Sequence, residues 1–132
     1  MENKIFDPVR KIYVAPRPEE KVRQYVIHWL KEKREVPYSL MSCEYPIPLN
    51  DKTFRADIVI FGNRLQPLVI VECKAPEVPI SQKTAFQIGI YNSQLKVPYL
   101  IMTNGRIILI YKYDMDRQQY IEIHDLPKYK DL

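Results

Sequence analysis

Apolar residues recur at helical spacing after Pro18 and in short runs typical of strands over much of the rest of the chain. Pro18 fits the first turn of a helix, and the carboxylates of Glu19 and Glu20 complement the positive end of the helix dipole. We therefore predict a helix that starts at Pro18 and stops before Pro37. Its predicted apolar stripe consists of Val22, Tyr25, Val26, Trp29 and Leu30. Glu19 lies closer to this stripe and should reach over the sheet edge, whereas Glu20 should face water.

Three strands are predicted after this helix. An extended segment covers residues 38–48, a β-rich run covers residues 55–61, and a continuous apolar run covers residues 68–71. The apolar run is typical of a central strand that is buried on both faces. Because the turn signal at residues 62–63 separates the last two strands, we expect them to be antiparallel neighbours. A turn at residues 50–52 joins the first two.

The second half of the sequence predicts a crossover helix and a further strand, followed by a C-terminal β-hairpin. Ser81 is a suitable N-cap for a helix over about residues 82–96. The strand at residues 98–103 follows that helix, so it should lie parallel to the strand before the helix. Asn104-Gly105 is a strong turn signal. The last two predicted strands cover residues 106–113 and 119–124.

These elements predict a mixed α/β (α+β) fold. The 132 residues suffice for one domain, residues 1–132, and the 46% apolar and 27% charged content is typical of a globular chain. Residues 1–17 should form an N-terminal arm over the core, and residues 126–132 a solvated tail. No apolar stretch approaches the about 20 residues that span a bilayer, and the first residues lack a signal-peptide layout. We therefore expect a cytoplasmic protein without membrane contact.

The cysteines, histidines and net charge exclude some functions and leave others open. Two cysteines and two histidines are too few and too scattered for a disulfide framework or a zinc site. We predict Cys43 and Cys73 to be reduced, buried thiols. The net charge of +4 permits a nucleic-acid partner without requiring one.

Charged residues follow the predicted central strand directly. Glu72 and Lys74 are two positions apart, so both should project from one face of the strand while Cys73 points to the other. Asp57 interrupts the neighbouring strand and should lie across from Glu72. Two adjacent carboxylates repel unless a cation lies between them, and Mg²⁺ prefers such oxygen ligands. This group is therefore either a salt-bridged strand end or a metal site with its lysine.

Five segments of the chain together carry a family resemblance. They are Pro18-Glu-Glu-Lys-Val-Arg-Gln24, Arg55-Ala-Asp-Ile-Val59, Val71-Glu-Cys-Lys-Ala-Pro76, Gln87 with Tyr91 and Asn92, and Pro98-Tyr-Leu-Ile-Met-Thr-Asn-Gly105. In this order they resemble the PD-(D/E)xK nuclease superfamily, whose restriction-endonuclease-like core is a helix, a three-strand meander, a helix and a strand. The chain is most similar to the N-terminal nuclease domain of type I restriction endonuclease R subunits, the HsdR N-terminal type. The resemblance covers nearly the whole chain.

The resemblance implies a Mg²⁺-dependent endonuclease acting on DNA, with Mn²⁺ able to replace Mg²⁺. Asp57 and Glu72 would hold the metal, and the backbone carbonyl of Cys73 would be a further ligand. Glu19 would add a ligand directly or through water. The alternative for Glu19 and Glu20 is simple compensation of the helix dipole, and the sequence does not decide which of the two would be the helix ligand.

The same resemblance gives roles to three residues beyond the metal ligands. Lys74 would orient or deprotonate the attacking water and stabilise charge on the phosphate. Gln87 and Tyr91 are four residues apart and project from one side of the second helix. They would position the active site or the DNA backbone, or else form ordinary helix surface.

The sequence also departs from restriction R subunits, in which a helicase motor follows the nuclease. No G-x₄-G-K-[S/T] loop occurs in the sequence, so we expect no use of ATP. The chain would be a free-standing relative or a fragment, and its partners a second copy of itself or separate restriction-modification subunits. The alternative function is a catalytically quiet nuclease-fold module that binds DNA or a protein partner.

Overall fold

The computed structural model describes residues 3–49, 52–85 and 96–132. One long helix, α1, covers Pro18–Arg34. The described residues contain eight strands: β1 Ile5–Asp7, β2 Ile12–Val14, β3 Met41–Leu49, β4 Lys52–Phe61, β5 Pro67–Cys73, β6 Tyr99–Thr103, β7 Ile108–Asp114 and β8 Gln119–Ile123. The helix and the strands from β3 onwards follow the predicted order, and the predicted fold class is confirmed.

Strands β3 to β8 form a six-stranded sheet in sequence order, and β1 pairs with β2 in a separate ribbon. Neighbours in the large sheet are antiparallel, apart from β5 and β6, which are parallel. A parallel pair needs a crossover connection, as the sequence predicted. The crossover helix begins as expected, because residues 82–85 are helical and the Thr84 N–H bonds to the Ser81 hydroxyl. Residues 86–95 of that predicted helix lie outside the described residues, as do residues 50 and 51 of the predicted turn, and Lys96, its predicted last residue, lies in a turn.

Clusters of buried apolar residues cover both faces of the sheet. The first core cluster lies between α1 and one face and includes Val22, Val26, Ile27, Leu30, Ile58, Ile60, Val69, Val71, Cys73 and Ile101. The second core cluster lies on the other face and includes Ile47, Ala56, Val59, Ile70, Val97 and Leu100. Neighbouring residues of β5 contribute to opposite clusters, so this strand is buried on both faces as predicted.

The apolar stripe of α1 differs from the prediction at its edge. Tyr25 was assigned to the stripe but is exposed, and Ile27, which was left out, is fully buried. Trp29 is only partly buried, with the Arg34 guanidinium over its ring at 5.3 Å. The buried face is therefore rotated away from Tyr25, and the rotation brings Arg23 onto it.

Strands β3 and β4 change faces halfway along their length. Ile58 packs in the first cluster, whereas Ala56, two residues earlier, packs in the second. Regular alternation would place both on one face. The change occurs at Asp57. The ladder pairs Cys43 with Ile58 and Tyr45 with Ala56 but skips Glu44 and Asp57, and Glu44 has a left-handed backbone with φ of +54°. Because of this local irregularity, the residues on either side of Asp57 do not follow the regular alternation of faces along the strand.

The terminal segments are more closely packed than predicted. The N-terminal arm contains the β1–β2 ribbon, and its Asp7 is fully buried. The predicted solvated tail was wrong in two respects, because Leu126 is buried in the first cluster and the Tyr129 hydroxyl donates a 2.9 Å hydrogen bond to the Phe61 carbonyl. Within the described ranges, no helix has the length and apolarity needed to cross a membrane.

Candidate functional site

Two carboxylates meet where β4 and β5 run side by side. Ile58 pairs with Val71 across the ladder, so Asp57 and Glu72 are the next residues toward this end of the sheet. Asp57 Oδ2 accepts a 2.6 Å hydrogen bond from the Cys73 backbone N–H. Both side chains are 12% exposed, so the carboxylates lie at the rim of the core. The structure thus brings together the two acids that the sequence singled out.

Lys74 follows β5 directly and lies beside the acids. Its ammonium nitrogen is 3.4 Å from Glu72 Oε1, and its side chain is more open to solvent than either carboxylate. Its backbone N–H donates to the Thr103 carbonyl at 2.9 Å, which fixes the chain where it leaves the sheet. Glu72, Lys74 and Asp57 therefore form one cluster at a defined sheet end.

Burial and mutual repulsion disfavour two negative charges in this cluster. Burial and the Asp57 charge raise the pKa of Glu72 to about 7, against the opposing effect of Lys74. Burial also raises the pKa of Asp57, and the Cys73 N–H and the Arg23 guanidinium oppose that rise. Glu72 Oε2 is buried and has no hydrogen-bond partner among the described residues. The pair is short of positive charge, and a cation would relieve that shortage.

Arg23 supplies part of the missing charge. Its Nη2 atom lies 3.6 Å from Asp57 Oδ1 and 3.4 Å from Glu44 Oε1. Its side chain is only 7% exposed, and burial works against its charge while Glu20 and Asp57 raise its pKa. Sequence reasoning missed this residue. The signal was its position three and four residues before Val26 and Ile27, which places it on the buried side of α1.

The two glutamates at the start of α1 behave differently from the prediction. Glu20 was expected to face water, but its side chain is 13% exposed because it is held between two arginines. Glu20 Oε1 lies 2.8 Å from Arg10 Nη2, and Glu20 Oε2 lies 3.4 Å from Arg23 Nε. Glu19 is exposed, and its charge raises the pKa of Asp57. Glu19 is thus near enough to act on the site electrostatically.

Some of the predicted site residues are not assembled by the structure. No group of three or more His, Cys, Asp or Glu side chains that could hold a metal occurs within residues 3–49, 52–85 and 96–132. The role of Glu19 as a further ligand, directly or through water, therefore stays a prediction. Gln87 and Tyr91 lie outside the described residues, so their roles stay predictions.

The two cysteines are both free and differ in burial. Cys73 is buried in the first cluster, so its sulfur points away from Glu72 as predicted. Cys43 is partly buried rather than buried, and its thiol lies 3.9 Å from Asp7 Oδ2. Burial, together with the Asp7 charge, raises the pKa of Cys43 to about 11, which keeps the thiol protonated.

Comparison with known proteins gives matches in sequence and in structure. The family described as Type I restriction enzyme R protein N terminus (HSDR_N) matches residues 18–127. The structure of the type IIG restriction endonuclease BpuSI aligns with a TM-score of 0.54 at 21% identity, covering 81% of this chain and 13% of that enzyme. At this identity the alignment shows a shared fold. The chain corresponds to a small part of a much longer enzyme. The comparison with curated proteins finds no match.

Proposed function

Because the chain belongs to the family of type I restriction enzyme R protein N termini, we propose that it is a Mg²⁺-dependent endonuclease domain that hydrolyses DNA phosphodiester bonds. The observation that carries this proposal is the cluster of Asp57, Glu72 and Lys74 at the end of β5. It contains a buried carboxylate oxygen, Glu72 Oε2, that has no partner in the described part of the chain. Such a group suits a divalent cation better than it suits an isolated ion pair.

The donor set fits Mg²⁺. Asp57 and Glu72 offer hard oxygen ligands, and the Cys73 carbonyl at the strand end is a third oxygen in the same region. Mg²⁺ typically binds one or two carboxylates and keeps several waters, so a cluster of three side chains is not required. When bound, the metal would lower the pKa of a coordinated water and withdraw charge from the phosphate.

Lys74 is the best-placed group for the developing charge of the reaction. Its ammonium is paired with Glu72 and remains accessible to solvent, so a phosphate approaching the sheet end would meet it first. We assign it to orientation of the attacking water and stabilisation of the phosphoryl oxygens, because an ammonium group beside the two acids can donate hydrogen bonds to both. Asp57 is held in place by Cys73 and Arg23, which restricts its rotation.

One observation favours the second candidate function, a catalytically quiet module that binds DNA or a protein. Asp57 already has a positive partner in Arg23, so the acid has a stable arrangement without any metal. A chain of this kind would keep the charged site as a structural element. DNA binding would then be expected without hydrolysis.

Plasmid nicking assays with Mg²⁺ or Mn²⁺ distinguish these functions. Asp57→Asn and Lys74→Ala should each abolish metal-dependent nicking while the chain stays folded. The matched controls are Asp125→Asn, an acid in a surface ion pair, and Lys128→Ala, a lysine that also pairs with a glutamate. Both controls should retain activity.

Nicking that survives Asp57→Asn and Lys74→Ala would come from a contaminant and would refute the assignment. DNA binding without nicking in any preparation would favour the quiet module. Since one such site cuts one strand, we expect nicks to precede double-strand breaks unless a second copy or a separate restriction subunit is present.

A further inference from the structure

The β1–β2 pair, here called the N-terminal ribbon (Ile5–Val14), exposes an aromatic face. Phe6 and Tyr13 are directly opposite each other in the ladder, with ring centroids 5.2 Å apart in an edge-to-face arrangement. Phe6 is 48% exposed and Tyr13 is 68% exposed, and Ile12 beside them is also exposed. Large apolar side chains clustered on so short a ribbon mark a contact surface.

The charges around these rings are positive. Within residues 3–17 the exposed charged side chains are Lys4, Lys11 and Arg17, whereas the acid in this stretch, Asp7, is buried. Lys4 directly precedes β1, and Lys11 lies in the turn directly before β2, so both lysines are within two positions of an exposed ring. Within residues 3–17 the ribbon therefore combines exposed aromatic rings with exposed positive charge.

The N-terminal ribbon is fixed to the candidate site by a chain of ion pairs. Asp7 Oδ1 accepts hydrogen bonds from the backbone N–H groups of Val9 and Arg10, at 2.7 and 3.0 Å, which orders the turn. Arg10 then joins Asp7 to Glu20, and Glu20 joins Arg10 to Arg23. Arg23 contacts Asp57 itself. The aromatic face is thus held at a set position relative to the acids.

We propose that the N-terminal ribbon binds a single DNA strand beside the acidic site. Phe6 and Tyr13 would stack on unpaired bases, and Lys4, Lys11 and Arg17 would contact phosphates. The inference rests on the proposed nuclease function, which makes DNA the polyanion at this site. The family match begins at residue 18, so the ribbon lies outside the part of the chain that the family describes.

The combination of rings and positive charge favours DNA over an apolar partner. Aromatic side chains stack on any base without sequence preference, and lysines along a strand neutralise its phosphates. A duplex keeps its bases stacked inside, so exposed rings gain most from an unpaired strand. The ribbon should therefore prefer single-stranded DNA.

The test is fluorescence anisotropy of the full chain with a fluorescein-labelled 20-nucleotide single strand, in EDTA so that no cleavage occurs. Phe6→Ser and Tyr13→Ser should each weaken binding by about tenfold, as expected for loss of one stacked base. The control is Leu65→Ser, an equally apolar and exposed residue in the β4–β5 turn, which should leave affinity within about twofold.

The lysines give an independent readout. Lys4→Ala and Lys11→Ala should each reduce the slope of log affinity against log salt by about 0.7. Lys130→Ala, an exposed lysine near the C-terminus, should leave the slope unchanged. The ring-preserving change Tyr13→Phe should keep full affinity, which separates stacking from a general effect on folding.

Parent-like binding by both serine variants would overturn the inference, and so would absence of binding by the unaltered chain. The result is separable from the proposed function. Ribbon-dependent binding by a chain that never nicks DNA would support the ribbon and refute the nuclease. Nicking that needs Asp57 and Lys74, with DNA binding that does not depend on the ribbon, would support the nuclease and refute the role of the ribbon.

Discussion

Arg23 is the residue on which the charge balance of the acidic site depends most. Its guanidinium lies within 3.4 to 3.6 Å of oxygens on Glu20, Glu44 and Asp57. Because the side chain is 7% exposed, little water is available to screen these charges. Arg23→Gln removes the positive charge and leaves the carboxylates facing one another.

The expected cost follows from the burial of each partner. Removing one member of a buried ion pair typically costs about 3–5 kcal/mol, because the remaining charge has lost its compensation. Glu44 is more than half exposed, so water screens its share, whereas Asp57 and Glu20 are largely buried. We therefore expect Arg23→Gln to lower the free energy of unfolding by about 3 kcal/mol at neutral pH.

Urea unfolding in EDTA, followed by circular dichroism, measures this loss. The matched control is Arg34→Gln, whose partner Asp125 is mostly exposed, and it should cost less than about 1 kcal/mol. Adding Asp57→Asn to Arg23→Gln should recover part of the loss, with a coupling energy of about 1–3 kcal/mol. In Mn²⁺, the single Arg23→Gln variant should gain more stability than the unaltered chain, because Asp57 is no longer shared.

Two results would refute this view of Arg23. One is an unfolding midpoint for Arg23→Gln equal to that of the unaltered chain. The other is a double variant whose loss of unfolding free energy equals the sum of the losses in the two single variants. Additivity would mean that Asp57 does not depend on the guanidinium.

The remaining predictions concern Glu72, the core and the C-terminus. Glu72→Gln should flatten the dependence of stability on pH in EDTA: the pKa of Glu72 is raised from 4.5 to about 7 by burial and by the Asp57 charge, so the folded chain binds this proton more tightly. The resulting stabilisation, up to about 3 kcal/mol, is fully present below the pKa of Glu72 in the unfolded chain and is lost as pH rises through its pKa in the folded chain. Chemical unfolding at a series of pH values checks this prediction. The same dependence of stability on pH in Glu72→Gln as in the unaltered chain would contradict it. Ile27→Ala should cost about 2–5 kcal/mol in urea unfolding, because the side chain is fully buried between α1 and the sheet, and a cost below about 1 kcal/mol would place it outside the core. Tyr129→Phe should lower the free energy of unfolding by about 1 kcal/mol through loss of its hydrogen bond to the Phe61 carbonyl. An unchanged free energy of unfolding would mean that residues 129–132 form a solvated tail, as the sequence predicts.

Much of the fold follows from local sequence signals. The prolines and acids that start α1, the apolar run of β5 and the turn residues between strands each act over a few positions, so they predict element order and the parallel crossover. The same reasoning placed Asp57 beside Glu72, because a short turn between two strands allows only an antiparallel pair.

The parts that were missed depend on contacts between distant segments. Glu20 is buried because Arg10, ten residues earlier, folds back onto it, and helical geometry alone cannot show such a partner. Tyr25 is apolar enough to join the stripe of α1, yet the sheet contacts a face rotated toward Ile27. Leu126 packs in the first core cluster and Tyr129 bonds to Phe61 of β4, and both contacts join segments that are far apart in the sequence.

The change of faces at Asp57 divides the β3–β4 hairpin into two parts with separate constraints. The part nearer α1 belongs to the first core cluster, and Cys73 and Arg23 anchor its acid from outside the hairpin. In the distal part, the described residues 45–48 and 53–56 contribute Ile47, Phe54 and Ala56 to the second cluster and hold neither of these anchors. Changes of length in the distal part can therefore accumulate during evolution without moving the acid, and the same segment is a natural place to graft a recognition loop.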